Sequence, residues 1–358
     1  MSAHTFFSTY FPAPKFLDMS SVGIDISPLA IRMMEITDRS SLKVGKYAEA
    51  NLKTPFVITD GDNKEAKDIL KKWKKDYNLT YIKASLPEDK AYLFDTEIEF
   101  GTEASMRSSI EFSLEENVPL SGPEVIFDYR LIGESAKEGF VKVAVTVLPV
   151  SVVNNYLALF HECGLTPISF VTEAQGLSRA LITRGDLGTY LIVNIHHTKT
   201  SVFIISKGAV QFTSTVAIGS LDFVKALQTQ FSLSQEEAEK MKDTKGFTRS
   251  DGQDKDILVA LINTASVFRG EIEKVSVYWN KHRVSIDPTE AIQKVILSGK
   301  EALTLGFKEY LNQTLKVPTE RGNVWLNVTN FDNYIPPLPL STALNFGTAI
   351  GLALPENE

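Results

Sequence analysis

Two stretches of this chain carry side chains that could hold an ion or a phosphate in the turn between two strands. Residues 22–36 read VGIDISPLAIRMMEI, with Asp25 just before the turn. Residues 190–206 read YLIVNIHHTKTSVFIIS and place His196, His197 and Lys199 in theirs. Adjacent histidines invite a metal reading, because imidazole is a common metal ligand. Consecutive strand residues point to opposite faces, however, so His196 and His197 cannot easily share one ion. No HExxH or CxxC companion is present, and His4, His161 and His282 lie in unrelated contexts, so a zinc site is not expected. A Gly-x-Ser-x-Gly elbow and a P-loop signature are also missing. The single cysteine, Cys163 in LALFHECGL, reads as a core thiol and excludes an internal disulfide.

The two stretches make more sense together. Laying GIDISPLAIRMMEI over IVNIHHTKTSVFII brings Asp25 onto Asn194, Ser27 onto His196 and Ile36 onto Ile205. Each opens one half of the chain, and a repeat of this kind governs the whole fold. Two such halves facing each other enclose a cleft.

The elements around them alternate between strand and helix, an α/β pattern. Residues 62–77, DNKEAKDILKKWKKDY, put Ala66, Ile69, Leu70 and Trp73 on one helical stripe and lysines on the other. Strands YIKASLP and AYLFDTEIEF, a helix over 102–116, strands EVIFDYRLI and FVKVAVTVLP, and helix VVNNYLALFHEC follow. The helix TEAQGLSRALI then precedes the second hairpin. Helices SLDFVKALQTQF and SQEEAEKMKD come next, then an expected polar loop over 247–256 and a long helix over 257–281.

A net charge of −7 gives no basic footprint for nucleic acid, and no aromatic platform for it is evident. No run approaches the roughly 18–20 apolar residues of a membrane span. The opening residues 1–20 are aromatic but interrupted by Pro12 and Pro14, so they read as a strap or docking segment rather than a signal peptide. A cytoplasmic protein is expected.

Four stretches resemble the type IV pilus assembly protein PilM family of the actin-like ATPase superfamily, across about residues 22–354. VGIDISPLAIRMMEI is similar to the family's opening phosphate hairpin, and ALNFGTAIGLAL to its terminal helix. SIEFSLEENVPLSGPEVIFDYRL and VTVLPVSVVNNYLALFHECGLTPISFVTEA are the more specific matches. The resemblance implies an actin-like, ribonuclease H-like duplicated fold with two lobes around a cleft and a small inserted α+β subdomain. The expected divisions are a tail at 1–20, the first part of lobe one at 21–86, the insert at 87–168 and a connecting helix of lobe one at 169–187. The second lobe would span 188–338, and a C-terminal helix at 339–358 would return to the first. The related cell-division protein FtsA uses a C-terminal amphipathic helix, and GLALPENE is too short and polar for one.

In such a fold, phosphates lie between two glycine-rich hairpins, where backbone N–H groups can approach them. An acid in each hairpin orders water around Mg²⁺. By that resemblance Asp25, Ser27, Asn194, His196, Thr198, Gly219, Glu239, Lys242 and Gly299 are the cofactor-binding candidates. Asp25 and Glu173 would hold Mg²⁺ through water, and Glu173 is the one catalytic candidate. The departures are as informative: Ser27 and Pro28 follow Asp25 where glycine is usual, and Arg32 stands for a lysine. Asn194 replaces an aspartate and His196 a glycine. Glu239 and Lys242 match an adenosine-contacting pair spaced to share one helix face. Lys300 reads as a surface residue. ATP and Mg²⁺ are thus expected to be weakened or lost as cofactors, and efficient hydrolysis is not expected.

The resemblance further implies a place beneath the inner membrane, reached only through partners. These would be the N-terminal peptide of a PilN-like membrane protein and a pilus motor ATPase complex. IEFSLEENVPL and VIFDYRL are the expected neighbourhood of the peptide groove. Homo-oligomerisation is left open. The rival readings are an active actin-like ATPase or sugar-type kinase and a nucleotide-dependent filament former.

Overall fold

A computed structural model describes residues 21–37, 42–58, 63–248, 253–282, 290–328 and 334–355. The aromatic tail, 1–20, lies outside the described residues. The chain begins with an antiparallel meander, β1 (Ser21–Ser27), β2 (Ala30–Thr37) and β3 (Lys43–Asn51). Next come α1 (Lys64–Tyr77) and β4 (Tyr81–Leu86), which pairs parallel to β1. The stripe expected on α1 is real at Ala66, Leu70 and Trp73, which are buried. Asn78 ends the helix in the left-handed region, at φ 54°, its N–H donating to the Lys74 carbonyl.

A second, three-stranded sheet then interrupts the lobe. It consists of β5 (Tyr92–Glu99), β6 (Val125–Glu134) and β7 (Phe140–Pro149) in the order β5-β7-β6, with α2 (Glu103–Asn117) packed on it. Its core is its own: Met106, Ile110 and Leu114 of α2 meet Val143, Val145 and Val147 of β7. The expected insert of 87–168 is too long. α3 (Val150–Glu162) sends Val152, Tyr156, Leu159 and Phe160 into the core of the first lobe, and β8 (Thr166–Thr172) pairs parallel to β4. Hydrogen bonding and packing therefore end the inserted sheet at Pro149. α4 (Glu173–Leu181) follows directly, capped by Thr172, whose side chain accepts from the Gln175 N–H.

The second lobe repeats the scheme. β9 (Tyr190–Ile195), β10 (Thr200–Ser206) and β11 (Ala209–Val216) form the meander. α5 (Ser220–Phe231), α6 (Gln235–Lys245) and α7 (Gln253–His282) lead to β12 (Lys294–Ser298), α8 (Phe307–Thr314) and β13 (Thr319–Arg321). α7 starts at Gln253, so the loop expected over 247–256 is shorter than its polar composition indicated; 249–252 lie outside the described residues. The two five-stranded sheets have the same order, β3-β2-β1-β4-β8 and β11-β10-β9-β12-β13. Even the hairpin registers match: Asp25 faces Arg32, and Asn194 faces Ser201.

α9 (Leu340–Ala343) and α10 (Gly347–Ala353) close the chain, and α10 packs on β1, β2, β4 and α4 of the first lobe. Glycines allow this approach. A Cβ on Gly351 would lie 1.7 Å from the Gly176 carbonyl oxygen, and one on Gly23 would lie 2.2 Å from that of Ala349. Because backbone, not a pliant side chain, is in the way, the helix would have to move. Gly351→Ala is expected to destabilise the protein by about 2–3 kcal/mol, read as a lower urea midpoint at unchanged slope.

Candidate functional site

The C-terminal ends of β1 and β9 face each other across a cleft of about 530 Å³. Asp25, Ser27, Pro28 and Arg32 line it from the first lobe, and Asn194, His196, His197 and Thr198 from the second. Ser298 at the end of β12, Gly299 and Lys300 just after it, Glu49 of β3, and Asn345 and Thr348 also line it. Seven of the candidates named from sequence gather here: Asp25, Ser27, Asn194, His196, Thr198 and Gly299 line the cleft, and Glu173 contacts its His196 and Asn194.

Glu173 is the first residue of α4, where the helix dipole favours a negative charge. Its Oε1 accepts from His196 Nε2 at 2.6 Å and from Asn194 Nδ2 at 2.7 Å. Its Oε2 lies 3.4 Å from Ser201 Oγ, a longer contact. Burial alone would raise the Glu173 pKa, but His196, Lys199 and the Asn194 hydrogen bond outweigh it and hold the group at about 2. Asp25 shifts the other way. Burial and the nearby Glu173 charge raise it, against opposition from Arg32 and the Ser85 hydroxyl, which donates to Asp25 Oδ1 at 2.7 Å.

A third carboxylate, Glu88, went unrecognised in the sequence. It sits in the 3-10 turn Glu88–Lys90 after β4, where its Oε2 accepts from the Ala174 N–H at 2.9 Å. Its Oε1 is buried without a hydrogen-bond partner. Burial pushes its pKa up to about 7. The only sequence signal was an acid two residues beyond a strand end, LPEDK, and many exposed turns look like that.

Gly219 and Gly299 are fixed by packing. A Cβ on Gly219 would lie 2.4 Å from the His197 carbonyl oxygen, and one on Gly299 would lie 2.3 Å from that of Ile195. Gly299 also has a φ of 83°, which favours glycine. Glu239 and Lys242 lie on α6 outside the cleft lining and bond to different partners. Glu239 accepts from Gln235 Nε2 at 3.0 Å. Lys242 is buried against Glu301, with Nζ to Oε1 at 2.5 Å, and Thr304 Oγ1 donates to the other Glu301 oxygen at 2.8 Å. Glu301 was also missed, since nothing in SGKEAL marks its carboxylate as the buried complement of a lysine about sixty residues earlier. Arg32 is held by Glu49, Nε to Oε1 at 2.7 Å.

Does this set fit a hydrated Mg²⁺? The ion keeps an octahedral shell of waters at roughly 2.0–2.1 Å, and these donate to outer carboxylates. His196 already donates to the Glu173 oxygen such a water would seek, Asn194 brings no charge, and the Ser85 hydroxyl already donates to Asp25 Oδ1. The residues do not fit the ion.

The sign of the Glu88 effect is testable. Its folded pKa, about 7, exceeds the ordinary 4.5. Its contribution is therefore present in full below 4.5 and is lost as pH rises through 7. Glu88→Gln keeps an acceptor for Ala174 and removes that loss. The variant is expected to gain roughly 3 kcal/mol on wild type between pH 4.5 and 8, measured by denaturant melts across the range.

Comparison with known proteins places these observations in a family. The family model described as "Type IV pilus assembly protein PilM" matches residues 23–357. Among solved structures, one described as the PilM-PilN type IV pilus biogenesis complex aligns at a TM-score of 0.74 with 18% identity, covering 94% of this chain and 98% of that one. The ethanolamine utilization protein EutJ from Carboxydothermus hydrogenoformans aligns at 0.54 with 16% identity, covering 94% and 89%. MreB5 of Spiroplasma citri bound to ADP aligns at 0.51 with 12% identity, covering 88% and 94%. No curated protein sequence matches. These likenesses establish the actin-like fold, and the match over nearly the whole length establishes the family: the chain belongs to the type IV pilus assembly protein PilM family.

Proposed function

We propose that this protein is a scaffold of the type IV pilus assembly platform whose nucleotide cleft is catalytically degenerate. It would bind the N-terminal peptide of a PilN-like membrane protein and couple that protein to a pilus motor ATPase. The observation that carries the scaffold reading is the Glu173–His196–Asn194 contact. The acid that would organise a catalytic metal is satisfied by the protein itself. An active ATPase or kinase would need that carboxylate free.

The peptide site is proposed along β6, one edge of the inserted sheet. An edge strand offers unpaired backbone groups to an extended peptide, and apolar side chains beside it add affinity. Grooves run here between Asp128–Gly133 of β6, the end of α4 and the β10–β11 turn at Lys207 and Gly208. Leu131 and Leu187 flank them and are 48% and 64% exposed. The likeness to a PilM-PilN complex supports a partner of this class. Among the described residues no helix is long and apolar enough to cross a membrane. The protein would therefore sit beneath the inner membrane by way of its partner.

Titrating a fluorescent PilN-type N-terminal peptide tests this. Binding is expected, and Leu131→Glu, a change at an exposed position, should weaken it about tenfold or more. Absence of binding at high micromolar peptide would sink the proposal. Hydrolysis is a separate check: phosphate release from ATP should not exceed that of a Glu173→Ala variant, and clear turnover above that control would reinstate an enzyme.

A further inference from the structure

We infer that the cleft binds the phosphates of a nucleotide or other polyphosphate without a divalent cation, the imidazole N–H of His196 standing where a metal-bound water would donate to Glu173. The inference rests on the reading of this cleft as a degenerate nucleotide site and says what the degeneracy does.

In a metal-dependent site the ion separates two negative partners, the phosphate and the protein's carboxylates. Here Glu173 and Asp25 already have partners from within. Glu173 Oε1 receives both His196 at 2.6 Å and Asn194 at 2.7 Å, and Asp25 receives the Ser85 hydroxyl. A metal and the imidazole compete for one oxygen, and the imidazole is covalently tethered there. The oxygen a metal-bound water would reach is thus already occupied, and a phosphate entering the cleft is met by the protein's own donors.

A second, independent observation points to a ligand. The Ser298 hydroxyl is fully buried, lines the cleft and has no hydrogen-bond partner. An orphaned hydroxyl in such a place is costly unless something meets it. The arginine and lysine of the cleft are Arg32, whose Nε is held by Glu49 of the same lining and whose Nη1 lies 3.5 Å from Ser27 Oγ, and the largely exposed Lys300, 3.8 Å from Asp243. A hydroxyl without a partner and two cations that can turn to a stronger anion suit a polyphosphate.

Calorimetric titration of the full chain with ATP and with inorganic tripolyphosphate, each in EDTA and in magnesium, tests the inference. At least one probe should bind, with affinities in the two buffers agreeing within about threefold. Tighter binding of ATP would give the nucleoside a share, and equal binding would leave the phosphates alone responsible; both carry the inference. An Asn194→Asp/His196→Gly double variant should tighten about tenfold or more on adding magnesium. Ser298→Ala should weaken the bound probe about fivefold or more in EDTA. No heat from either probe in either buffer overturns the inference. So does magnesium tightening of the wild type by about tenfold or more, a comparison that stands even if the double variant fails to fold. Titrating the PilN-type peptide in the same preparation separates the two readings. Peptide binding without polyphosphate binding sinks this inference alone, and the reverse sinks only the scaffold reading.

Discussion

The contact on which the cleft depends is the one between Glu173 and the pair His196 and Asn194. It joins the first residue of α4, in the first lobe, to the end of β9 and the turn after it in the second. A buried carboxylate in such a place is unfavourable unless its charge is met. A protein that recruits a hydrated ion meets it with something exchangeable, whereas this one meets it with two of its own side chains. The lobes are thereby tied at the point where an exchangeable ligand would otherwise sit between them. Lys199 adds a looser tie to Asp89 at 3.8 Å, and the Glu88 carboxylate braces the same helix start from below through Ala174.

Pairing between the protein's own side chains recurs at α6. Lys242, expected from the sequence to face an adenosine, is turned onto Glu301, and Thr304 holds the other oxygen of that carboxylate. Arg32 is likewise engaged by Glu49. Removing one partner from a buried pair such as Lys242–Glu301 leaves a stranded charge, which is far worse than never having had the pair. Once formed, such a pair is lost without a stranded charge only through paired changes, not single ones.

How far the sequence disclosed this follows from what kind of information each feature needs. The hairpin repeat was legible because identical backbone geometry imposes a similar apolar pattern, and the alignment of Asp25 with Asn194 is reproduced by the strand registers. The stripe on α1 was legible for the same reason. The end of the insert was not: β7 runs straight into α3, with only Pro149 between them, and no local signal marks the point where the chain changes sheets. β13, three residues long, is too short to show a period. Glu88 and Glu301 were invisible because a buried acid is defined by its partners, and those lie far away in the chain.

Glycine retention in the cleft is where sequence resemblance could most easily mislead. Gly219 and Gly299 are the two glycines that the family resemblance assigns to phosphate contact. Yet each is required by a carbonyl lying within 2.4 Å of where its Cβ would be. The close approach of α5 to the turn after β9, and of the turn after β12 to Ile195, would demand glycine whether or not a phosphate were ever bound. Their presence records how the lobes are built. The side chains have no such obligation, and it is they that differ, at Ser27, Asn194 and His196. Backbone packing alone accounts for the two glycines, while the partners of Glu173, Asn194 at the end of β9 and His196 in the turn after it, are side chains that such packing leaves free to vary.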